Sequence, residues 1–450
     1  MDKNYTVLHL HSMDSNPYSG LEVDSIVPFQ DYINEAKNEG MNAIAFTEHG
    51  VVLHNIAKKQ ACDKAGLKYI HGEEFYVTKD LYQEPQESQI EEYVSGLNEL
   101  DMDQKEIREK VKTFIEENKS QVRDNYHCIL LAKNQDGVKE LNKLSSNSFD
   151  RNDGHFYYNP RITLEELENT SDNIFVLTAC IAGMLCKGAQ DVQERFLNFL
   201  IKNKHRCWLE IQPHNFDVQI YYNQYLYRIS EKYGLKLVAT NDIHAIDKER
   251  LSGRAIMQKS HKIDFHDEDS CDLSWKTYDE MVEAFEKQNA LPKSIYLNAI
   301  EETNNIAAMV ESYNLDYSNK YPRLYPDAME EMKKRIVNGV RDRGVSKLPD
   351  YKTKYLPRIK EELETYVHND AIDFMLLDSD YKNWLLENNM HYGPSRGSVS
   401  GSEIAYLLKC TDVDSVKYNL NFSRFMNPER MSLADVDTDI YAEDRYRVRE

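Results

Sequence analysis

The first 80 residues alternate short apolar segments with amphipathic ones, a pattern typical of repeated βα units. Residues 5–12 (YTVLHLHS), 42–50 (NAIAFTEHG) and 68–77 (KYIHGEEFYV) are rich in β-branched and aromatic residues and predict strands. Between them, residues 27–41 and 55–67 have the apolar spacing of helices, each with a glycine near its end. This alternation predicts a parallel sheet or a barrel.

The same rhythm returns in four later segments, and their apolar strands end in polar or ionisable residues. In βα barrels the strand end is where the chemistry occurs, so these ends are the places to search for a site. The four segments are 127–146, 173–183, 206–215 and 236–245.

Residues 81–124 interrupt this rhythm with twelve acidic and six basic residues at helical spacing. This composition predicts a solvated helical insertion without chemistry of its own. From about residue 275 onward the pattern is mostly helical, with an irregular linker at 316–326. A Gly/Ser-rich loop, a short helix and an aspartate-rich strand are predicted near the end of the sequence.

Composition limits the functional classes. The formal net charge of −21 argues against a protein that coats nucleic acid by bulk electrostatics, although a local groove for DNA remains compatible with it. The seven cysteines are scattered without a CxxC pair, so they do not form a disulfide framework. No signal peptide and no apolar run of about 20 residues is present, and we therefore expect a soluble, cytoplasmic protein without a membrane partner.

Histidines and carboxylates recur at the predicted strand ends. His9 and His11 project from one face of a strand, and Asp242 and His244 repeat this spacing on a later strand. Imidazoles and carboxylates are ligands for zinc, manganese or iron, and paired ions can activate water for phosphoryl chemistry. A lone HxH is weak evidence, but the combination predicts a metal cluster. The further candidates between these pairs are Glu48, His49, Glu73, Glu74 and His127.

A second candidate site lies near the end of the sequence. Residues 393–402 read GPSRGSVSGS directly before a predicted helix, a pattern that favours binding of phosphate by serine hydroxyls, helix N–H groups and Arg396. A flexible linker is the alternative. Further on, Asp435, Asp437 and Asp439 alternate along a predicted strand, which would place three carboxylates on one face. Such charges need cations, and two magnesium ions held this way catalyse nucleotidyl transfer; an Asp-rich turn is the alternative.

The motifs LHLHS, AIAFTEHG, IHGEEFYV, HCILLAKN, VLTACIAG and VATNDIHA resemble the successive motifs of the PHP (polymerase and histidinol phosphatase) domain. The resemblance is to the version found in bacterial DNA polymerase III α subunits. It implies a distorted βα barrel whose site usually has nine ligands for two or three Zn, Mn or Fe ions. The implied ligands are His9, His11, His49, Glu74, His127, Cys180, Asp242 and His244.

Two departures from the PHP pattern concern ligands. The usual Asp before the histidine of the second motif is Glu48 here. The acidic ligand that the family carries after its first motif falls near Pro17 or Tyr18, neither of which suits a metal. Asp14 is the candidate replacement. Since some PHP domains are 3′–5′ exonucleases and others are scaffolds, both roles stay open.

Residues 392–439, from YGPSRGSVSGS to LADVDTD, resemble the palm motif of the C-family polymerases. The resemblance implies that Asp437 and Asp439 are two of three catalytic carboxylates, holding two Mg ions in the complete enzyme. Ser395 and Ala434 depart from the pattern without removing a charge. The residues implied to contact the incoming triphosphate are Arg396, Gly397, Ser398, Ser400, Ser402 and Arg430.

We therefore expect an α/β chain: a distorted βα PHP barrel, then a mostly helical segment and a partial α+β nucleotidyltransferase-like palm. The domains would be 1–270 (PHP, with 81–124 inserted) and 271–450 (the N-terminal part of the palm, without thumb and fingers). The resemblance also fits a phage-type or truncated polymerase.

In function, the chain would be part of a DNA-directed DNA polymerase that uses primer-template DNA and dNTPs. Because the family's third carboxylate lies further along than this sequence reaches, we expect no polymerase activity from the chain alone. Either the chain is a fragment, or the polymerase is split and a second chain supplies the rest. The alternatives are a PHP phosphoesterase with a vestigial palm and a non-catalytic scaffold.

Overall fold

In the computed structural model of the protein, a mixed sheet of eight strands organises the first part of the chain. The structure describes residues 4–15, 23–98, 102–262, 271–316, 318, 320–429 and 435–449, and it divides into unit 1 (Met1–Leu315) and unit 2 (Asp316–Glu450). The strands of unit 1 are β1 (Ala43–Phe46), β2 (Lys68–Thr78), β3 (Tyr82–Gln83), β4 (Ser120–Gln121), β5 (Tyr126–Ala132), β6 (Phe156–Tyr157), β7 (Asn159–Thr163), β8 (Ile174–Leu177), β9 (Cys207–Ile211) and β10 (Lys236–Ala239).

The order of hydrogen-bonded strands is β10-β9-β8-β5-β2-β7-β6, with β1 also paired to β2, while β3 and β4 form a separate two-stranded antiparallel sheet. Most neighbours are parallel, but β5 runs antiparallel to both β2 and β8, so the expectation of a parallel sheet is wrong at this strand. The reason lies in the connection. The insertion leaves the sheet after β3 and returns through β4, which pairs with β3. The chain therefore enters β5 at the end of the sheet where β2 ends.

Residues 5–12, predicted as a strand, form an extended segment that makes isolated bridges to both edges of the sheet. Val7 bridges Ile44 of β1, and Leu10 bridges Ile243, which follows β10. The backbone N–H of His11 donates to the carbonyl of Ile243 at 2.8 Å. Because one segment contacts both edges, the sheet curls into a distorted barrel, and the α/β class predicted from the sequence is confirmed.

The helices of unit 1 begin at residues that favour helix starts. Thr163 and Thr277 each form a capping box with a glutamate three residues later. The helices are α1 (Phe29–Asn38), α2 (Asn55–Ala65), α3 (Glu87–Asn98), α4 (Gln104–Glu117), α5 (Gln135–Ser148), α6 (Leu164–Glu168), α7 (Met184–Lys187), α8 (Gln190–Lys202), α9 (Asp217–Tyr233), α10 (Lys248–Ser260), α11 (Tyr278–Gln288) and α12 (Lys293–Met309).

Helix α12 covers one face of the sheet, although it lies beyond the domain boundary at residue 270 that the sequence suggested. Its Ile306 packs with Trp208 of β9 and Val238 of β10 in one buried cluster. The indole N–H of Trp208 also donates to Glu302 of α12 at 2.9 Å. Burial of this apolar face explains why unit 1 continues to Leu315.

Strand β2 sends successive side chains to opposite faces, so His71 and Glu74 lie on different sides of the sheet. His71 is buried, and its ring nitrogens are 3.0 Å from the hydroxyl of Tyr69 and 2.8 Å from the amide oxygen of Asn142. Burial lowers the pKa of His71 to about 4. This imidazole is therefore neutral in the folded protein at neutral pH.

Unit 2 is helical in the residues described, and its core includes Met332, Tyr366, Met375 and Ile404. The aspartates predicted on a strand are not on one: residues 435–439 are irregular, followed by a single bridge between Tyr392 and Ile440. Among the described residues of both units, no helix has the length and apolar composition to cross a bilayer. The helices of unit 2 are α13 (Ala328–Asp342), α14 (Leu356–His368), α15 (Ile372–Glu387), α16 (Glu403–Leu407) and α17 (Arg445–Arg449).

Gly339 marks a close approach of helices α13 and α16. A Cβ atom at this position would lie 2.3 Å from the backbone oxygen of Leu407. We expect Gly339→Ala to lower the free energy of unfolding of unit 2 by about 1–3 kcal/mol, because the helices must separate. Gly96→Ala is the matched control, since nothing lies within 4 Å of its Cβ and alanine favours the helix. Urea denaturation measures both; equal stabilisation by the two variants would contradict this packing.

The buried His71 predicts a pH dependence of stability. The pKa of His71 is about 4 in the folded protein and lies below the usual 6.5. Between pH 6.5 and pH 4 the unfolded state therefore binds more protons than the folded state, and the free energy of unfolding falls as the pH drops through this range. In His71→Gln the decrease in the free energy of unfolding on acidification is expected to be smaller by up to about 1.4 kcal/mol per pH unit. Urea titrations at pH 7, 6 and 5 test this against His205→Gln, which alters an exposed histidine. Parallel pH profiles for wild type and His71→Gln would refute it.

Candidate metal and phosphate sites

Glu74 lies at the centre of the predicted metal cluster. Its carboxylate is buried, with Oε2 2.9 Å from His49 Nδ1, 3.4 Å from His9 Nε2 and 3.3 Å from His11 Nε2. The second oxygen, Oε1, is 3.1 Å from His127 Nδ1. One carboxylate therefore contacts four imidazoles, each of which the sequence had predicted as a ligand.

Strand direction explains why these residues meet. His49 follows the carboxyl end of β1, whereas His127 is near the amino end of β5. Since β5 runs antiparallel to β2, its first residues lie at the same end of the barrel as the last residues of the parallel strands. His9 and His11 reach this end from the segment that bridges both sheet edges, and their Nε2 atoms are 3.1 Å apart.

Asp242 and His244 complete the predicted set from beyond the end of β10 rather than from within a strand. Asp242 Oδ1 lies 3.0 Å from His9 Nε2, 3.3 Å from His11 Nε2 and 3.0 Å from His244 Nε2. Asp242 has φ of 53°, a left-handed conformation that is unfavourable for a side chain with a Cβ. Such strained conformations often accompany functional positions. Here the conformation places the carboxylate in contact with three histidines.

Asp24 is a member of the cluster that the sequence analysis missed. Its Oδ1 lies 3.1 Å from His244 Nδ1 and 3.8 Å from His49 Nε2, and its Oδ2 lies 3.6 Å from His11 Nδ1. Positions 17 and 18, where an acidic ligand was sought, are outside the described residues. The order of residues in the sequence could have indicated this residue, because Asp24 is the last carboxylate before the apolar start of α1.

Asp14, the suggested replacement ligand, has different partners. Its carboxylate is 2.8 Å from His54 Nδ1 and 2.8 Å from Lys58 Nζ. The same lysine is 2.6 Å from Glu48, the residue that replaces the usual aspartate of the second motif. Asp14 is therefore not among the residues that contact the cluster, and its suggested role as a ligand is wrong.

Glu48 organises the loop beside the histidines through contacts with Ser12, Ser15 and Lys58. Its buried carboxylate accepts hydrogen bonds from the backbone N–H of Ser12 at 2.8 Å and from the hydroxyls of Ser12 and Ser15 at 2.6 Å. Together with Lys58, these donors hold the pKa of Glu48 below its ordinary value although burial opposes this. The glutamate thus has a structural part in the site.

Cys180 lies at the edge of the cluster, with its Sγ 3.6 Å from His127 Nδ1. Burial, with the nearby carboxylates of Asp242 and Glu74, raises the pKa of this thiol well above its usual range. Because thiolates rather than thiols bind metals, its role as a ligand stays a prediction.

The cluster couples buried charges of opposite sign. Burial disfavours the ionised form of Glu74, but the surrounding imidazoles hold its pKa well below the usual range. Burial likewise disfavours imidazolium, yet Asp24 and Glu74 raise the pKa of His49 to about 9, and Asp24 raises that of His244 to about 10. These protons occupy the nitrogens that a cation would bind, so metal binding would release protons.

The donor atoms fit divalent metal ions. Within three sets, the nitrogen and oxygen atoms all lie within 4.8 Å of one another, close enough for one ion to contact each member. Imidazole nitrogens combined with carboxylate oxygens suit zinc, manganese and iron. The three sets are His11 with His49 and His244, His9 with His11 and Glu74, and His49 with Glu74 and His127.

In unit 2 the predicted phosphate loop lies beside the predicted catalytic aspartates. Arg396 Nη1 is 2.6 Å from Asp439 Oδ1, and Arg396 Nε is 3.8 Å from Asp437 Oδ2. The backbone N–H of Gly393 donates to the carbonyl of Asp439 at 2.8 Å. Gly397 has φ of 74°, and a Cβ there would lie 3.4 Å from the Asp437 carboxylate. The structure thus brings both sequence motifs together at an exposed surface.

The serines of this loop differ in their surroundings. Ser398 and Ser400 are half-buried, and the Ser400 hydroxyl donates to the Gly397 carbonyl at 3.0 Å. Ser402 is buried, and its hydroxyl donates to Glu362 at 2.7 Å and accepts from the N–H of Ala405. Arg430 lies outside the described residues.

The N–H groups at the start of α16 are already bonded. Those of Glu403 and Ile404 donate to the Glu362 carboxylate, each at 2.9 Å. The expectation that these N–H groups bind phosphate is therefore wrong, because the buried Glu362 carboxylate already accepts their hydrogen bonds.

Comparison with known proteins bears on both units. Residues 8–214 match the model of the PHP domain, and residues 324–450 match the model of the bacterial DNA polymerase III alpha NTPase domain. Over 479 residues the chain is 29% identical to DNA polymerase III subunit alpha of Aquifex aeolicus, with 100% of this chain and 37% of that protein covered. With the same subunit of Borreliella burgdorferi the identity is 29% over 456 residues, covering 97% and 35%.

The chain thus spans about a third of the length of these curated relatives. A solved structure from Bacteroides vulgatus, a two-domain protein described as containing a predicted PHP-like metal-dependent phosphoesterase, is 13% identical with a TM-score of 0.29, and 63% of each chain is covered. The matches at residues 8–214 and 324–450 therefore show a PHP domain followed by a bacterial DNA polymerase III alpha NTPase domain, in agreement with the sequence motifs.

Proposed function

We propose that the chain is part of a DNA-directed DNA polymerase, and that the cluster of unit 1 is a metal-dependent phosphoesterase centre that removes nucleotides from DNA 3′ ends. The observation that carries this proposal is the contact of one buried carboxylate, Glu74, with four imidazoles. A set of nitrogen and oxygen donors this dense is costly to bury without cations.

Two or three Zn, Mn or Fe ions would be held by the predicted ligands together with Asp24. When bound, such ions lower the pKa of a water molecule and neutralise charge on a phosphodiester. The chain's own residues orient these donors. Glu48 fixes the loop that carries Ser12 and Ser15, and the Ser15 hydroxyl in turn accepts a hydrogen bond from the backbone N–H of His49 at 3.1 Å.

The nuclease proposal predicts manganese-dependent cleavage of 3′-labelled single-stranded DNA. We expect Asp242→Ala/His244→Ala to lose metal and to cleave at least about 100-fold more slowly, because two donors are removed from the cluster. The matched control is Asp437→Ala/Asp439→Ala, which removes two carboxylates from unit 2 and should leave cleavage unchanged.

Metal content and cleavage are measured on the same preparations. Absence of cleavage by wild type, or equal cleavage by wild type and the unit 1 variant, would rule out the nuclease. A wild-type protein that binds metal and cleaves nothing would favour the scaffold alternative.

For unit 2 we propose a contribution to nucleotidyl transfer, in which dNMP is added to a primer 3′-OH. The supporting observation is the position of Arg396 against both Asp437 and Asp439. The two carboxylates would hold two Mg ions in the complete enzyme, while Arg396 and the loop would contact the triphosphate. Primer-template DNA and the remaining parts of the complete enzyme would complete the site.

The unit 2 proposal predicts that this chain binds Mg·dNTP. Asp437→Asn/Asp439→Asn and Arg396→Ala are each expected to weaken binding by about tenfold or more, since charged contacts to phosphate or metal are lost. Asp435→Asn is the control, because it changes a neighbouring exposed carboxylate outside the predicted pair. Isothermal titration would contradict the proposal if wild type shows no binding or if Asp435→Asn weakens it equally.

A further inference from the structure

Glu210 is a fully buried glutamate of β9 that the sequence motifs did not single out. Its side chain has no exposed surface, and its Oε1 lies 2.6 Å from Nδ1 of His9. The opposite nitrogen of the same ring, Nε2, lies 3.0 Å from Asp242 and 3.1 Å from His11 Nε2. One ring nitrogen of His9 thus faces Glu210, which is not a member of the three donor sets described above. The other ring nitrogen faces Asp242 and His11 of the cluster.

The position of the Glu210 carboxylate is set by further hydrogen bonds. The Thr240 hydroxyl, just beyond β10, donates to the same Oε1 at 2.5 Å, and the side-chain amide of Gln212 donates to it at 3.0 Å. The backbone N–H of Glu210 donates to the Thr178 hydroxyl at 2.9 Å. Contacts from three segments therefore place one oxygen opposite His9.

This geometry restricts which nitrogen of His9 can act as a ligand. A carboxylate accepts hydrogen bonds only, so the nitrogen facing Glu210 carries a proton. A neutral imidazole then has its lone pair on Nε2, the atom that faces Glu74 and Asp242. A negative charge behind the ring also makes Nε2 a stronger donor to a cation.

We infer that Glu210 is a positioning residue of the metal centre: it holds the Nδ1 proton of His9 so that Nε2 is presented to a cation. The inference rests on the proposed metal-dependent function and adds to it a residue that acts through His9. A purely structural role, in which Glu210 only ties β9 to the segment after β10 through Thr240, is the competing explanation.

The two explanations differ in what a change at Glu210 does to metal binding. Glu210→Gln keeps the shape of the side chain but removes its charge, and Glu210→Ala removes the contact to His9. Thr240→Val is the matched control, because it deletes one hydrogen bond to the same oxygen without touching the histidine. Each full-length variant is titrated with Zn²⁺ and Mn²⁺ against a chelator, and the absorption spectrum of bound Co²⁺ reports the ligand field.

We expect Glu210→Gln to weaken metal affinity about tenfold and Glu210→Ala up to about 100-fold, with an altered Co²⁺ spectrum, while Thr240→Val stays within about threefold of wild type. Equal affinities and spectra for wild type and Glu210→Gln would overturn the inference, as would equal weakening by Glu210→Gln and Thr240→Val. Because Glu210→Gln is nearly isosteric, it decides the test if Glu210→Ala does not fold. Failure of wild type to bind any metal would overturn the proposed function and this inference together.

Discussion

A charged carboxylate inside a protein must be surrounded by donors or positive charge, and the barrel of unit 1 is arranged around this constraint. Glu74 lies in the middle of β2, the strand that pairs with β1, β5 and β7. The residues that neutralise it come from segments at many points along the chain. The end of the barrel where they meet is consequently held by ionic contacts, whereas the rest of the sheet is held by apolar packing.

Local patterns in the sequence were sufficient to predict most of the cluster. His9, His11, His49, Glu74 and His127 lie together in the structure, because each is at or near a strand that its own neighbours in sequence already indicate. The repeated i, i+2 spacing also predicted Asp242 and His244, although both follow β10 instead of lying in it. For these residues a prediction required only secondary structure and the rule that strand ends meet.

The errors arose where long-range geometry decides. Asp24 was missed because a loop can change its length while keeping its functional residue, and spacing along the chain then points to the wrong position. The direction of β5 was missed because a hairpin-like excursion and a helical crossover give the same alternation of segments. In unit 2, the buried Glu362 takes the N–H groups at the start of α16, and nothing in the residues near the phosphate loop indicates that partner.

The segment at residues 5–12 has a consequence for how the protein is made. It is synthesised before the strands of unit 1, and its contact with Ile44 forms from residues close in sequence. Its second partner, Ile243, leaves the ribosome only after more than two hundred further residues, because synthesis proceeds from the amino to the carboxyl terminus. Until then one edge of this segment has unpaired backbone groups, and His9 and His11 lack Asp242 and His244. Closure of the barrel and completion of the metal cluster therefore both wait until the last strand of unit 1 has been synthesised.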